Sequence, residues 1–155
     1  MTNVPTSNEP KSLYELSWTY ARDGKVALDA DTGLVVDANP AAEALMGYSR
    51  AELIGMHVTM LHPEAERELV KTRLREALLG GLPYFRLHIQ RKDGRCVPVA
   101  IWSSEKLNLA GQSLVIGQFR DITDQVQNEH QLSTQDWALG AYSLAALALV
   151  LNCVS

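Results

Sequence analysis

Cysteine is nearly absent. Cys96 and Cys153 are the only two, and neither stands in a Cys-x-x-Cys or Cys/His spacing that would hold a metal or make a redox pair. Two free thiols in a reducing cytoplasm are the expectation. A basic stripe is also missing: Lys and Arg number 14 against 18 Asp and Glu, for a net charge of -4. The cations are dispersed, and only Arg91, Lys92 and Arg95 group, around a turn. That excludes a nucleic-acid surface as the main function. No run of apolar residues reaches the ~20 needed to span a bilayer. The longest, residues 137–151, has 15 residues and holds Gly140 and Ser143. Residues 1–11 are polar and Pro-containing without an apolar stretch, so a disordered leader is expected rather than a signal peptide.

What is present reads as one domain with flanking segments. The chain has 155 residues, 46% hydrophobic and 21% charged, ordinary for a globular core. Leu13, Leu16, Trp18 and Tyr20 predict a short amphipathic helix within residues 12–23, ended by Asp23-Gly24. Lys25 to Ala30 and Leu34 to Asp37 read as strands joined by Asp31-Thr32-Gly33. Asn39-Pro40 then opens a helix, because Asn accepts from free helical N–H groups and Pro needs no N–H at the first position. That helix stops near Gly47, and Ser49-Arg50-Ala51-Glu52 is a capping box that starts another. Glu64 to Leu79 carries the strongest helical period, with Val70, Leu74, Ala77 and Leu78 on one face.

The second half changes period from helix to strand. Phe85, Leu87 and Ile89 alternate with polar neighbours, Lys92-Asp93-Gly94-Arg95 makes a tight turn, and Val97, Val99 and Ile101 resume the alternation. Asn108 to Gln112 reads as a turn, and Ser113 to Arg120 as a final strand. The fold class is therefore α+β: a five-stranded antiparallel sheet with short helices on one face, flanked by N-terminal and C-terminal helices.

Four pieces in order now carry a family resemblance: Asp37-Ala38-Asn39-Pro40-Ala41-Ala42, Gly47-Tyr48-Ser49-Arg50-Ala51-Glu52-Leu53-Ile54-Gly55, Arg91-Lys92-Asp93-Gly94, and Arg120-Asp121-Ile122-Thr123-Asp124. Together they resemble the signature of PAS sensory domains, placing the domain at residues 24–124. The resemblance implies a sensor or regulatory module of a bacterial signalling protein: a histidine kinase, a cyclic-dinucleotide enzyme or a transcription regulator. It also implies that Asp121, Ile122 and Thr123 close the last strand and open a signalling helix within residues 125–155.

Cofactor signatures of the family are missing. Photosensory flavin members carry Asn-Cys-Arg where this chain has His57-Val58-Thr59-Met60. Oxygen-sensing haem members place a histidine seven residues beyond a proline like Pro63, and that position is Val70. Ile89 stands where redox FAD members hold a polar contact. His57 and His62 are the remaining candidates for haem by another geometry, but His62 precedes a proline and reads as a surface or capping residue. His88 falls on the polar side of its strand and reads as solvated. No cofactor is predicted.

Candidates for an apolar pocket are Met46, Met56, Leu61, Val70, Leu74, Phe85, Leu87, Val99, Ile101 and Phe119, for a small apolar ligand or simply as core. Tyr14, Trp18 and Trp102 are candidates for a homodimer face. The alternative readings are a ligand-free dimerisation or adaptor domain and a haem- or FAD-binding redox sensor. Glu52, Asp93 and Asp121 sit in caps and turns, and no nucleophile–base pair is present, so no enzyme is expected. The apolar stretch 137–151 reads as the first helix of a following domain that is missing from this chain, whose output partner lies elsewhere.

Overall fold

A computed structural model describes residues 12–80 and 84–135, with side chains through residue 133. The expected leader, the apolar stretch 137–151 and Cys153 lie outside the described residues. No helix among those described is long and apolar enough to cross a membrane.

The elements follow in the order α1 (Leu13–Thr19), β1 (Gly24–Asp29), β2 (Val35–Ala38), α2 (Pro40–Met46), α3 (Arg50–Leu53), α4 (Arg67–Leu78), β3 (Tyr84–Gln90), β4 (Cys96–Ser103), β5 (Leu107–Leu109), β6 (Gln112–Asp121) and α5 (Thr123–Gln135). The sheet is antiparallel in the order β2-β1-β6-β4-β3, with β5 paired to β6. It therefore has six strands, one more than the five expected. The extra strand lies where a turn was expected over Asn108 to Gln112. Only Ala110 and Gly111 turn there, both left-handed at φ 50 and 81, which is what a two-residue hairpin requires.

Local capping appears where the residue types demand it. Ser12 and Ser49 both make reciprocal capping boxes, with Glu15 and Glu52. Asn39 caps α2 through Oδ1, which accepts from the Ala42 amide at 2.9 Å. Its remaining capacity reaches much further. Oδ1 also accepts from the Lys25 amide (2.7 Å), and Nδ2 donates to the carbonyls of Trp18 (3.0 Å) and Asp23 (3.1 Å). Asn39 is wholly buried, so one side chain joins α1, β1 and α2.

Three of the four motifs fasten the helical arm. Arg91 donates to the Ala44 and Leu45 carbonyls at the end of α2, Lys92 pairs with Glu52 (2.6 Å), and Arg50 pairs with Asp37 (2.6 Å). The core lies between sheet and helices and includes Val26, Leu53, Leu61, Ile89 and Val99, all fully buried. Each such aliphatic chain contributes about 1.5–3 kcal/mol by leaving water.

The strongest predicted helix begins later than expected. Glu64–Glu66 is a 3-10 turn, and the α-helix starts only at Arg67. The reason is Glu66, whose carboxylate turns away to the sheet edge instead of serving the helix start. Oε2 accepts the His88 amide at 2.8 Å, and Oε1 meets His88 Nδ1 at 2.7 Å.

Candidate functional site

A cavity of about 40 Å³ lies between α4 and the sheet. Val70, Arg73, Leu74 and Ala77 supply the helix wall. Leu28 of β1, Phe85 of β3, Ile101 and Ser103 of β4, and Val115, Gly117 and Phe119 of β6 supply the sheet wall. Val58 and His62 close one side from the 3-10 segment Val58–Leu61 and its end.

Sheet register puts the β6 residues there. Gly117 pairs with Val26 on β1 and with Ser103 on β4, while Phe119 pairs with Gly24 and Ile101. A Cβ at Gly117 would stand 3.1 Å from Phe119 Cε2, so the glycine makes room for the Phe119 ring.

Of the ten pocket candidates, Val70, Leu74, Phe85, Ile101 and Phe119 line the cavity. Met46, Leu61, Leu87 and Val99 are buried in the core instead, and Met56 packs half-buried against it. These five belong to the same apolar layer but face neighbouring side chains. Leu28, Val58, His62, Arg73, Ala77, Ser103, Val115 and Gly117 went unforeseen. A mid-strand glycine such as Gly117 is a signal of close approach; the others carry no local mark.

His62 is the principal correction. It is 1% exposed, so the surface reading fails, while its backbone does cap the end of the 3-10 segment Val58–Leu61. Its Nδ1 lies 2.7 Å from the His88 carbonyl, and a carbonyl can only accept, so Nδ1 carries the proton. Burial is the main cause that pushes its pKa down from 6.5 to about 4, against the opposing pull of the His88 carbonyl and Glu66. At neutral pH the ring is uncharged and its Nε2 holds a lone pair.

His88 is the second correction: it is not a solvated strand histidine. Strand β3 is a sheet edge, and the outward N–H and C=O of His88 are taken by Glu66 and His62. Burial pushes the Glu66 carboxyl up, but the hydrogen bonds from the His88 ring and amide outweigh it and leave the group below its ordinary range. His57, the other candidate metal ligand, turns its Nδ1 to Thr59 Oγ1 (2.8 Å) at the head of the 3-10 segment. Among the described residues no three His, Cys, Asp or Glu side chains gather in a way that could hold a metal ion.

The exit from the sheet is ordered. Asp121 Oδ1 accepts from the Thr123 amide (2.8 Å) and hydroxyl (2.5 Å) at the mouth of α5. Ile122 between them is buried, and its amide donates to the Pro98 carbonyl at 3.0 Å. Helix α5 packs against β4, and Arg86 of β3 holds Glu129 through two bonds of 3.1 and 3.3 Å.

Of the residues named for a dimer face, Tyr14 is exposed and Trp18 is half-buried. Trp102 packs against the Tyr84 ring at 5.4 Å and under the Arg120 guanidinium at 5.0 Å. Arg120 in turn holds Asp23 at 2.8 Å, which together with Gln118 keeps that carboxyl below its usual range despite burial.

The class defined by this sheet, helical arm and exit helix is matched by comparison with known proteins. A family model described as PAS domain matches residues 24–124. The chain belongs to the PAS domain family. Among curated proteins it is 29% identical over 129 residues to the signal transduction histidine-protein kinase AtoS of Escherichia coli strain K12, covering 81% of this chain and 20% of the kinase. The chain thus spans about a fifth of that relative's length. Among solved structures it is similar to the PAS domain of an HTR-like protein from Haloarcula marismortui (TM-score 0.61, 25% identity, covering 70% of this chain and 88% of the other). It is also similar to the PAS domain of a protein from Colwellia psychrerythraea (TM-score 0.64, 25% identity, covering 72% and 95%). The chain is mainly a PAS sensory domain of a signalling protein.

Proposed function

We propose that a small molecule entering the cavity under α4 is the signal, and that α5 carries it to an output element of the same signalling system. One observation supports this most directly. Strand β6 lines the cavity through Val115, Gly117 and Phe119, then runs through Asp121, Ile122 and Thr123 into α5. A ligand that moves the Phe119 ring acts on the strand whose end positions the helix. The similarity to a histidine kinase favours a kinase output in a two-component system, supplied outside the region described. The cavity of about 40 Å³ suits a molecule of few heavy atoms, and we read the site as taking neither haem nor flavin.

A homodimer is part of this reading. Leu13 and Tyr14 on α1 are 79% and 85% exposed, and a symmetric partner helix would bury them.

The test begins with an absorbance spectrum and native mass spectrometry of the purified chain, followed by hydrogen exchange with any co-purifying molecule removed and restored. The expected result is a small bound mass, no visible-region band, and altered α5 exchange on its return. A haem or flavin band would overturn the ligand assignment, and unchanged α5 exchange would overturn the transmission route.

A further inference from the structure

Of the residues lining the cavity under α4, three carry polar side chains: His62, Arg73 and Ser103. Arg73 Nε and Ser103 Oγ are buried and have no hydrogen-bond partner, and both residues line the cavity. The third is Nε2 of His62. Its ring is committed to the His88 carbonyl through Nδ1 alone, and the residue is 1% exposed and lines the same cavity. Polar atoms left this way cost free energy until a partner arrives. Together they offer one acceptor lone pair, one N–H donor and one hydroxyl that can do either.

We propose that the ligand is a small neutral alcohol, whose hydroxyl donates to His62 Nε2 and accepts from Arg73 Nε or Ser103 Oγ. This rests on the reading of the cavity as the ligand site and names the class of molecule it takes. The alternatives complement the three atoms less well. A carboxylate only accepts, so it meets the His62 lone pair with its own. The Arg73 charge is already matched by Glu76 at 2.9 Å, and the remaining walls give an anion no solvation. A ketone or ether leaves His62 unpaired, and a hydrocarbon leaves all three groups unpaired. Size narrows the class further. A water needs roughly 10–15 Å³ of such space. The cavity of about 40 Å³ therefore takes a body of roughly three water-sized groups, a two- or three-carbon alcohol.

The test uses the full chain with 1-propanol, propionate and xenon as probes, read by NMR. The side-chain nitrogens of His62 are followed in long-range proton–nitrogen spectra. The expected result is saturable 1-propanol binding that shifts the His62 Nε2 resonance while Nδ1 stays protonated. Ser103→Ala or Arg73→Met, whichever removes the donor to the hydroxyl, should weaken 1-propanol about tenfold, the loss of one hydrogen bond, and leave xenon unaffected. Arg73→Met provides a second reading should Ser103→Ala perturb the fold. Propionate binding more tightly than 1-propanol would replace the alcohol by an acid. Xenon entering while 1-propanol binds no better in the parent than in both Ser103→Ala and Arg73→Met would make the site purely apolar. If no probe enters at all, xenon included, the cavity itself is not a ligand site and the broader reading fails with this one.

Discussion

Acidification should destabilise this domain through the buried side chain of His62. The unfolded chain takes up a proton at the ordinary 6.5, whereas burial holds the native ring neutral until about pH 4. Between those values the unfolded state binds more protons, so stability falls as pH falls through the window. The gap corresponds to about 3 kcal/mol, most of it lost by pH 4 and about 2 kcal/mol already gone at pH 5. In a domain of this size each kcal/mol moves Tm by about 4–8 °C, so a fall of roughly 10 °C is expected between pH 7.5 and pH 5. Urea denaturation followed by tryptophan fluorescence at pH 7.5, 6 and 5, on the parent and on His62→Phe, measures it. The variant leaves the His88 carbonyl without its donor and starts from a lower baseline. Its stability should nevertheless change much less over the same pH range. Stopping at pH 5 keeps Glu66 out of the comparison, because a carboxylate held low contributes its own loss only below its ordinary 4.5. Parallel pH curves for parent and variant would refute the argument that the ring is buried and neutral.

Asn39→Ala should cost about 3 kcal/mol in urea denaturation, because the half-buried carbonyls of Trp18 and Asp23 and the amides of Lys25 and Ala42 lose their partner together. Asn39→Asp should be worse at pH 7, since its carboxylate would face those two carbonyls. Gly117→Ala places a methyl 3.1 Å from Phe119 Cε2 inside the cavity wall. A stability loss of about 1 kcal/mol and at least tenfold weaker binding of any cavity ligand are expected, by thermal melt and NMR titration. Glu129→Gln removes the charge that Arg86 holds, so α5 amides should exchange faster in hydrogen-exchange mass spectrometry while the core amides of β4 and β6 stay protected.

Much of the fold was legible because its punctuation is local. Asn39-Pro40, the Ser49 to Glu52 box and Asp93-Gly94 each act within three or four residues, so the residue types alone announce the turn or helix start. Where a distant partner intervened, the reading slipped. Glu66 looked like a first-turn acid of a helix, yet His88 on another element draws it to the sheet edge. His62 read as a surface or capping residue beside a proline, yet it is buried and bonded to the His88 carbonyl of β3. The pocket candidates were chosen as large apolar residues, and half of them proved to face the core because periodicity gives a buried side but not which neighbours share it.

By itself, then, the sequence determined the order of elements other than β5, the caps at Asn39 and Ser49, the α+β class and the route from Asp121 through Ile122 and Thr123 into a helix, since each depends on neighbours along the chain. Only the tertiary structure decided which walls meet. Leu28, Val115 and Gly117 reach the cavity through the pairing of β1 with β6, a register no short stretch encodes. Its three polar atoms come from separate elements, with His62 just beyond a 3-10 segment, Arg73 on α4 and Ser103 on β4. Their chemistry arises from being carried to the wall of one cavity, a low-dielectric space that strengthens each hydrogen bond and penalises each missing one.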